Sequence, residues 1–286
     1  MFGGGFMKLA VEIWHTVYAL GEEKALALLK KSGFDAVDYS FFWQDPTNSI
    51  LDDNYLERAH KTKELLAQYD LVCNQAHAPY GNSTVKNPMD VSHPGYKDIV
   101  RSMEYASIIG AKHIVVHGLN NPIEFNEVNA TAEYYRSFTP YIKQFGVKIA
   151  VENLPHSGRL NNPNRMNAAL EQLDPDCFVA LVDVGHANLQ HYAPESFIRK
   201  ILPGRLQGLH IHDNHGEKDE HILPYLGDIR WEYVLEALAE VNYSGDFTFE
   251  LPGFIPKYAP NMLPEALSFV AGVGRKMMEQ FQALMG

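Results

Sequence analysis

The sequence predicts an α/β fold, a (β/α)8 barrel of the TIM type built as a single domain over residues 1–286. Three observations predict it. Short β-rich runs alternate with longer helical patterns along the whole chain, and repeated strand–helix units imply parallel strands with right-handed crossovers. Eight such units in 286 residues match the size at which α/β barrels close as one domain. Several helical patterns stop at a glycine that leads into the next strand, at Gly33, Gly110 and Gly146. The competing architecture, an open doubly wound sheet, lacks its usual signal, because no GxGxxG follows the first strand.

The strands expected in order are KLAVEIW (8–14), AVDYSFF (36–42), LVCNQAH (71–77) and KHIVVHG (112–118). KIAVENL (148–154), FVALVDVGH (178–186), LQGLHIHD (206–213) and GDFTFEL (245–251) follow. Between them EEKALALLKKSG (22–33), YLERAHKTKELLAQY (55–69) and YKDIVRSMEYASIIGA (96–111) carry apolar residues at helical spacing. The last helix, 263–284, sets Leu267, Val270, Val273, Met277, Phe281 and Leu284 in one stripe that faces the core.

A hydrophobic fraction of 46% supports a large core that needs no disulfide staples. The cysteines Cys73 and Cys177 sit in or beside apolar runs far apart in sequence, and read as reduced, buried thiols of a cytoplasmic protein. Residues 1–6 read as a leader outside the domain, with neither the basic nor the long apolar segment of a secretory signal. No run has the ~18 apolar residues that span a bilayer. A net charge of −11 disfavours broad affinity for nucleic acid.

Against this map, the segment LHIHDNHGEKDEH (209–221) crowds four histidines and four acidic residues into thirteen positions. Period-two alternation puts His210 and His212 on one face of the seventh strand, with Leu209 and Ile211 on the other. His77, His117, Glu152, Asp183, His186 and Glu250 all fall near the C-terminal ends of their strands, where barrel enzymes build their sites. So many carboxylates in one place need compensating cations. Imidazole plus carboxylate without thiolate suits Zn²⁺, Mn²⁺, Fe²⁺ or Co²⁺.

VENL (151–154), DVGHA (183–187), GLHIHDN (208–214), DEH (219–221) and FELPG (249–253) carry a resemblance to the xylose-isomerase-like TIM barrel superfamily. That superfamily includes sugar-phosphate isomerases and epimerases, ketose 3-epimerases and endonuclease IV, of AP endonuclease family 2. The resemblance implies a divalent metal held by Glu152, Asp183, His210 and Glu250. It also implies Glu152 and Glu250 as the catalytic pair, moving a proton beside a carbonyl through a metal-stabilised enediolate. His186 resembles a substrate-binding histidine, and Lys218 lies near a position where relatives carry arginine. His212 and Asp213 are expected to support the metal ligands or touch substrate, with Asp213 accepting from a ligand imidazole. His215 and Glu217 read as solvated.

A multinuclear alternative follows from the likeness to endonuclease IV. There His77 and His117 complete one site with Glu152, and His186, Asp219 and His221 form another, giving one to three ions in all. That likeness implies an abasic-site phosphodiesterase. The favoured reading is an isomerase or epimerase of a small sugar or sugar phosphate, and a polyol-ketone dehydratase is a third class sharing the same first proton abstraction. Two stretches read as loops, HTVYALGEE (15–23) and WQDPTNSILDDNY (43–55), look acidic and poor for a polyanion, and offer Trp14, His15, Tyr18, Phe42 and Trp43 as an aromatic wall for sugar. Arg159, Arg165 and Arg230 are candidate phosphate contacts. Relatives are often dimers or tetramers, so a homo-oligomer is compatible with the resemblance.

Overall fold

The computed structural model describes residues 7–42, 49–80, 89–119, 127–155, 160–190 and 192–286. The expected leader 1–6, together with Trp43 and Arg159, lies outside them. Eight parallel strands form the barrel: β1 (Leu9–Glu12), β2 (Ala36–Ser40), β3 (Val72–His77), β4 (His113–Val116), β5 (Lys148–Glu152), β6 (Phe178–Asp183), β7 (Leu206–His210) and β8 (Phe247–Phe249). Their order in the sheet is β7-β6-β5-β4-β3-β2-β1-β8. The last seam closes through the backbone of Ile211, whose N–H donates to Thr248 O at 2.8 Å and whose carbonyl accepts from Glu250 N at 3.2 Å.

The helices are α1 (Trp14–Leu20), α2 (Glu22–Ser32), α3 (Tyr55–Gln68), α4 (Pro94–Ile109), α5 (Glu127–Ser137), α6 (Thr139–Phe145), α7 (Pro163–Leu170), α8 (Val184–Leu189), α9 (Pro194–Lys200), α10 (Trp231–Glu240) and α11 (Leu263–Met285). α2, α4 and α6 stop where Gly33, Gly110 and Gly146 turn left-handed at φ 104°, 89° and 73°, a region glycine enters without steric cost. The α11 stripe buries Leu267, Val270, Met277 and Phe281, whereas Leu284, one turn further, is 48% exposed. No helix among the described residues is long and apolar enough to cross a membrane.

Strand alternation sorts the side chains. Val151, Val182 and Leu209 face outward into the main core under the helices, while Val115, Ala150, Val179 and Leu181 make a separate small cluster inside the barrel. Continuing the inward rows by two residues leads from Ala150 to Glu152, from Leu181 to Asp183 and from Gly208 to His210. The site is therefore the top of the barrel interior. Register shifts between Val37 and Asp38 and between Ala180 and Leu181 let Gln75 stand opposite Asp38 and Gly208 opposite Leu181.

The strands end earlier than the sequence patterns suggested. Trp14 does not close the first strand but opens α1, because Glu12 Oε1 accepts its backbone N–H and starts the helix there. HTVYALGEE is consequently helix, not loop. His186 does not end β6 either. Asp183 Oδ1 caps α8 by accepting from His186 N at 2.7 Å, which places His186 in the first helical turn.

Candidate active site

Among the described residues, three donor groups line the mouth side by side, and within each the potential ligand atoms lie within 4.8 Å of one another: Glu152, Asp183, His210 and Glu250; His77, His117 and Glu152; and His186, His212, Asp219 and His221. In the first group, His210 Nδ1 faces carboxylate oxygens from three other strands or strand ends. It stands 3.0 Å from Glu152 Oε1, 3.5 Å from Glu250 Oε2 and 3.7 Å from Asp183 Oδ2. One ring nitrogen can donate to only one of three converging oxygens, so the arrangement suits a cation at their centre better than it suits a hydrogen-bonded pair.

The second group has the same character. His77 Nε2 and His117 Nε2 face each other at 3.1 Å, with Glu152 Oε2 at 3.6 and 3.0 Å from them. That buried oxygen nevertheless makes no well-directed hydrogen bond. In the third, His186 Nε2 and His221 Nε2 reach the two oxygens of Asp219 at 3.2 and 3.1 Å. His212 stacks on His221 with ring centroids 3.8 Å apart.

Four of the ring nitrogens in these groups are held by the protein, as metal-binding imidazoles need. His77 Nδ1 lies 3.0 Å from Ala78 O, and His186 Nδ1 2.9 Å from Asn153 O. His210 Nε2 lies 3.1 Å from Asp38 Oδ2, and His212 Nε2 2.9 Å from Asp183 Oδ1. The chemistry of this donor set, nitrogen and carboxylate oxygen with fixed ring orientations, fits a borderline divalent cation.

Neighbouring carboxylates raise the basicity of three of these imidazoles. Burial works against protonation of His186, but Asp183, Asp219 and Glu152 outweigh it and lift its pKa to about 10. Burial is likewise overridden at His221 by Glu250 and Asp219, to about 9. His210 is held well above the ordinary range, because Glu250 and Glu152 beside it outweigh its burial. His117 differs: burial dominates over Glu152 and pushes it down to about 4. Glu152 stays well below the usual carboxylate range although burial opposes this, since His210 and His117 favour its anion.

Glycines make room for this cluster. A Cβ at Gly185 would lie 2.0 Å from His212 Cε1, and one at Gly253 would lie 1.7 Å from Glu220 O. Only a residue without a side chain lets α8 approach His212 and lets the chain after β8 support the arm that carries Asp219 and His221.

Several expected contacts change. Asp213 touches no ligand histidine. Its carboxylate accepts instead from Trp231 Nε1 at 2.8 Å and from the N–H groups of Tyr225 and Ile229 at 3.0 and 3.2 Å, anchoring the β7–α10 connection. Lys218 is exposed and exerts its field on Glu220. His215 is exposed as expected, paired with Glu220 at 2.7 Å. Arg165 lies within α7, and Arg230 is held by Glu195 at 3.7 Å and by the face of Tyr233. The acidity ascribed to the first loops is also reduced. Glu22 turns toward Tyr39 and Thr62, while Asp52 and Asp53 pair with Arg58 and Arg101 at 2.8 Å each.

The aromatic wall is present in part. Trp14 stacks on Tyr18 at 5.4 Å, and Phe42 lies nearly parallel to Tyr80 at 5.0 Å, over His77 and His117. The sequence reading missed Asp38, Glu12 and Ser40. All three are buried on the inward rows of β1 and β2, and Ser40 Oγ donates to Glu12 Oε1.

A family model for xylose isomerase-like TIM barrels matches residues 26–271. An uncharacterised protein of Sinorhizobium fredii is 25% identical over 292 residues, covering 86% of this chain and 88% of that relative. Among solved structures, a D-tagatose 3-epimerase-like protein superposes with a TM-score of 0.73 at 21% identity, covering 98% of each chain. D-allulose 3-epimerase from Methylomonas sp. gives a TM-score of 0.73 at 17% identity, over 96% of this chain and 98% of that one. At these identities the superpositions speak to the fold.

Proposed function

The chain belongs to the xylose isomerase-like TIM barrel family, and from that premise we propose that it is a divalent-metal-dependent isomerase or epimerase of a small sugar or sugar phosphate. The observation that carries this reading is the presentation of two glutamates, Glu152 and Glu250, on either side of His210 Nδ1 at 3.0 and 3.5 Å. Glu152, Asp183, His210 and Glu250 would hold the ion. When bound, a divalent cation would polarise the substrate oxygens flanking the reacting carbon and lower the cost of the enediolate. Glu250 and Glu152 exchange the proton at that carbon. Abstraction by one glutamate and return by the other on the opposite face inverts the centre; return at the neighbouring carbon, with the hydroxyl proton passing to the former carbonyl oxygen, gives the isomer. His186, fixed through Nδ1 on Asn153 O, holds Nε2 against Asp219 Oδ2 at 3.2 Å, and a substrate hydroxyl would share that nitrogen with Asp219. Phe42 and Tyr80 form a flat apolar flank that excludes water from one side.

The structural likeness to a D-tagatose 3-epimerase-like protein and to D-allulose 3-epimerase supports a sugar substrate. Buried, unpaired Cys73 and Cys177 support a cytoplasmic setting. The test is solvent exchange: the metal-loaded protein, incubated with a panel of ketoses, aldoses and their phosphates in D2O, incorporates deuterium beside the carbonyl of its substrate. Absence of exchange across the panel contradicts the proposal.

The assembly of all three donor groups favours a second reading, an endonuclease IV-like phosphodiesterase. Nicking of abasic DNA by the same preparation, without sugar exchange, would establish it.

A further inference from the structure

Asp38 takes no part in the chemistry proposed above, yet it is a fully buried carboxylate inside the barrel. It stands on the inward row of β2, between outward-facing Val37 and Tyr39. The register shift in β3 brings Gln75 opposite it, and Gln75 Nε2 donates to Asp38 Oδ2 at 2.8 Å. The same oxygen lies 3.1 Å from His210 Nε2, across the barrel interior, while Oδ1 has no hydrogen-bond partner. Burying a carboxylate this way is costly unless a strong donor faces it. His210 Nε2 is that donor, and its other nitrogen, Nδ1, is the atom that meets Glu152, Glu250 and Asp183.

A neutral imidazole carries one proton, so the partner at Nε2 decides whether Nδ1 offers a lone pair. We propose that Asp38 is a positioning residue that holds His210 as the Nε2–H tautomer, fixes its ring plane and raises the donor strength of Nδ1 toward a divalent cation. The inference rests on the metal-dependent reading of the site and extends it to a residue on the far side of the barrel. Gln75 orients Asp38 in turn. His113, at the start of β4, lies with Nε2 3.4 Å from Gln75 Oε1 and makes no hydrogen bond to His210 among the described residues.

The experiment is Zn²⁺ affinity by chelator competition on the full chain, with wild type, Asp38→Asn, Asp38→Ala and His113→Asn, each checked for fold by circular dichroism. Loss of a partner to a ligand histidine costs about 10–100-fold in metal affinity. Asp38→Ala is expected to show that loss. Asp38→Asn, which keeps an acceptor but not the charge, is expected to fall by about 3–10-fold on the same scale, and His113→Asn by less than about twofold, since it touches no ligand. In the Zn²⁺-loaded proteins, ¹H–¹⁵N spectra give an independent readout: the His210 Nε2–H proton is shifted downfield by its carboxylate acceptor in wild type and loses that shift in Asp38→Ala. Wild-type affinity in the Asp38 variants overturns the positioning role. If Asp38→Ala does not fold, Asp38→Asn decides alone, and unchanged affinity there overturns it equally. Failure of wild type to bind Zn²⁺ overturns the metal-site reading itself.

Discussion

Asp213 Oδ2 accepts a 2.8 Å hydrogen bond from Trp231 Nε1, tying the start of the β7–α10 connection to the first residue of α10. The connection between them carries Asp219 and His221, and Asp213 closes it further by pairing its backbone with Ile222 at 2.8 and 3.1 Å. Asp213→Ala leaves the buried indole N–H without an acceptor. At ~1–3 kcal/mol for a buried group left unsatisfied, the loss is expected to lower the melting temperature by about 3–10 °C at this chain size. Calorimetry of wild type and variant checks it, and an unchanged transition would remove Asp213 as the anchor.

Gly253→Ala tests the same arm from below. Its Cβ would lie 1.7 Å from Glu220 O, so the backbone of the arm must move. Forced overpacking costs about 1–3 kcal/mol, and a drop in melting temperature of about 3–10 °C is the expected outcome at this chain size. A variant as stable as wild type would show that the arm has room to yield.

Glu250→Gln keeps the shape of the site and removes a base. Deuterium exchange at the substrate carbon should fall about 10²–10⁴-fold, the range for a lost general acid–base group, with the circular dichroism spectrum unchanged. Retention of full exchange would rule out the paired-glutamate mechanism.

His113, which is not among the candidate metal ligands, gives the fold a pH dependence. Burial is the main cause that pushes its pKa from 6.5 down to about 4, with Asp38 opposing. The native state therefore favours the neutral ring, whereas the unfolded chain binds a proton near pH 6.5. The stabilisation is full above that pH, is lost progressively as pH falls toward 4, and declines no further below it. The loss amounts to roughly 3 kcal/mol at 1.36 kcal/mol per unit. Denaturant titrations of metal-free wild type and His113→Gln at pH 7.5 and 4.5 read it directly. The stability difference between the two proteins should shrink or reverse at the lower pH, and a difference independent of pH would contradict the assignment.

The barrel was legible because its strands repeat one pattern eight times, and alternation puts His210 and His212 on one face, where both meet the Asp183 carboxylate. The same alternation, applied to β2, points Asp38 and Ser40 inward against outward Val37 and Tyr39, but a lone carboxylate without a neighbouring histidine carries no ligand signature. Asp213 was misplaced for the opposite reason. Proximity to His212 suggested a contact, whereas its odd register after His210 turns it away from the interior and toward Trp231. Where strands become helix, at Trp14 and His186, the deciding interactions are side chains accepting backbone N–H groups, from Glu12 and Asp183, which hydrophobic periodicity does not record.

Metal content per chain, measured by elemental analysis of protein purified without added metal and again after Asp183→Asn, tests the central claim most directly. The account predicts at least one divalent ion per chain in wild type, and a marked loss of it when one of the three carboxylates around His210 Nδ1 gives up its charge. Metal-free wild type that neither takes up added Zn²⁺ nor Mn²⁺ nor changes its melting temperature in their presence would contradict it.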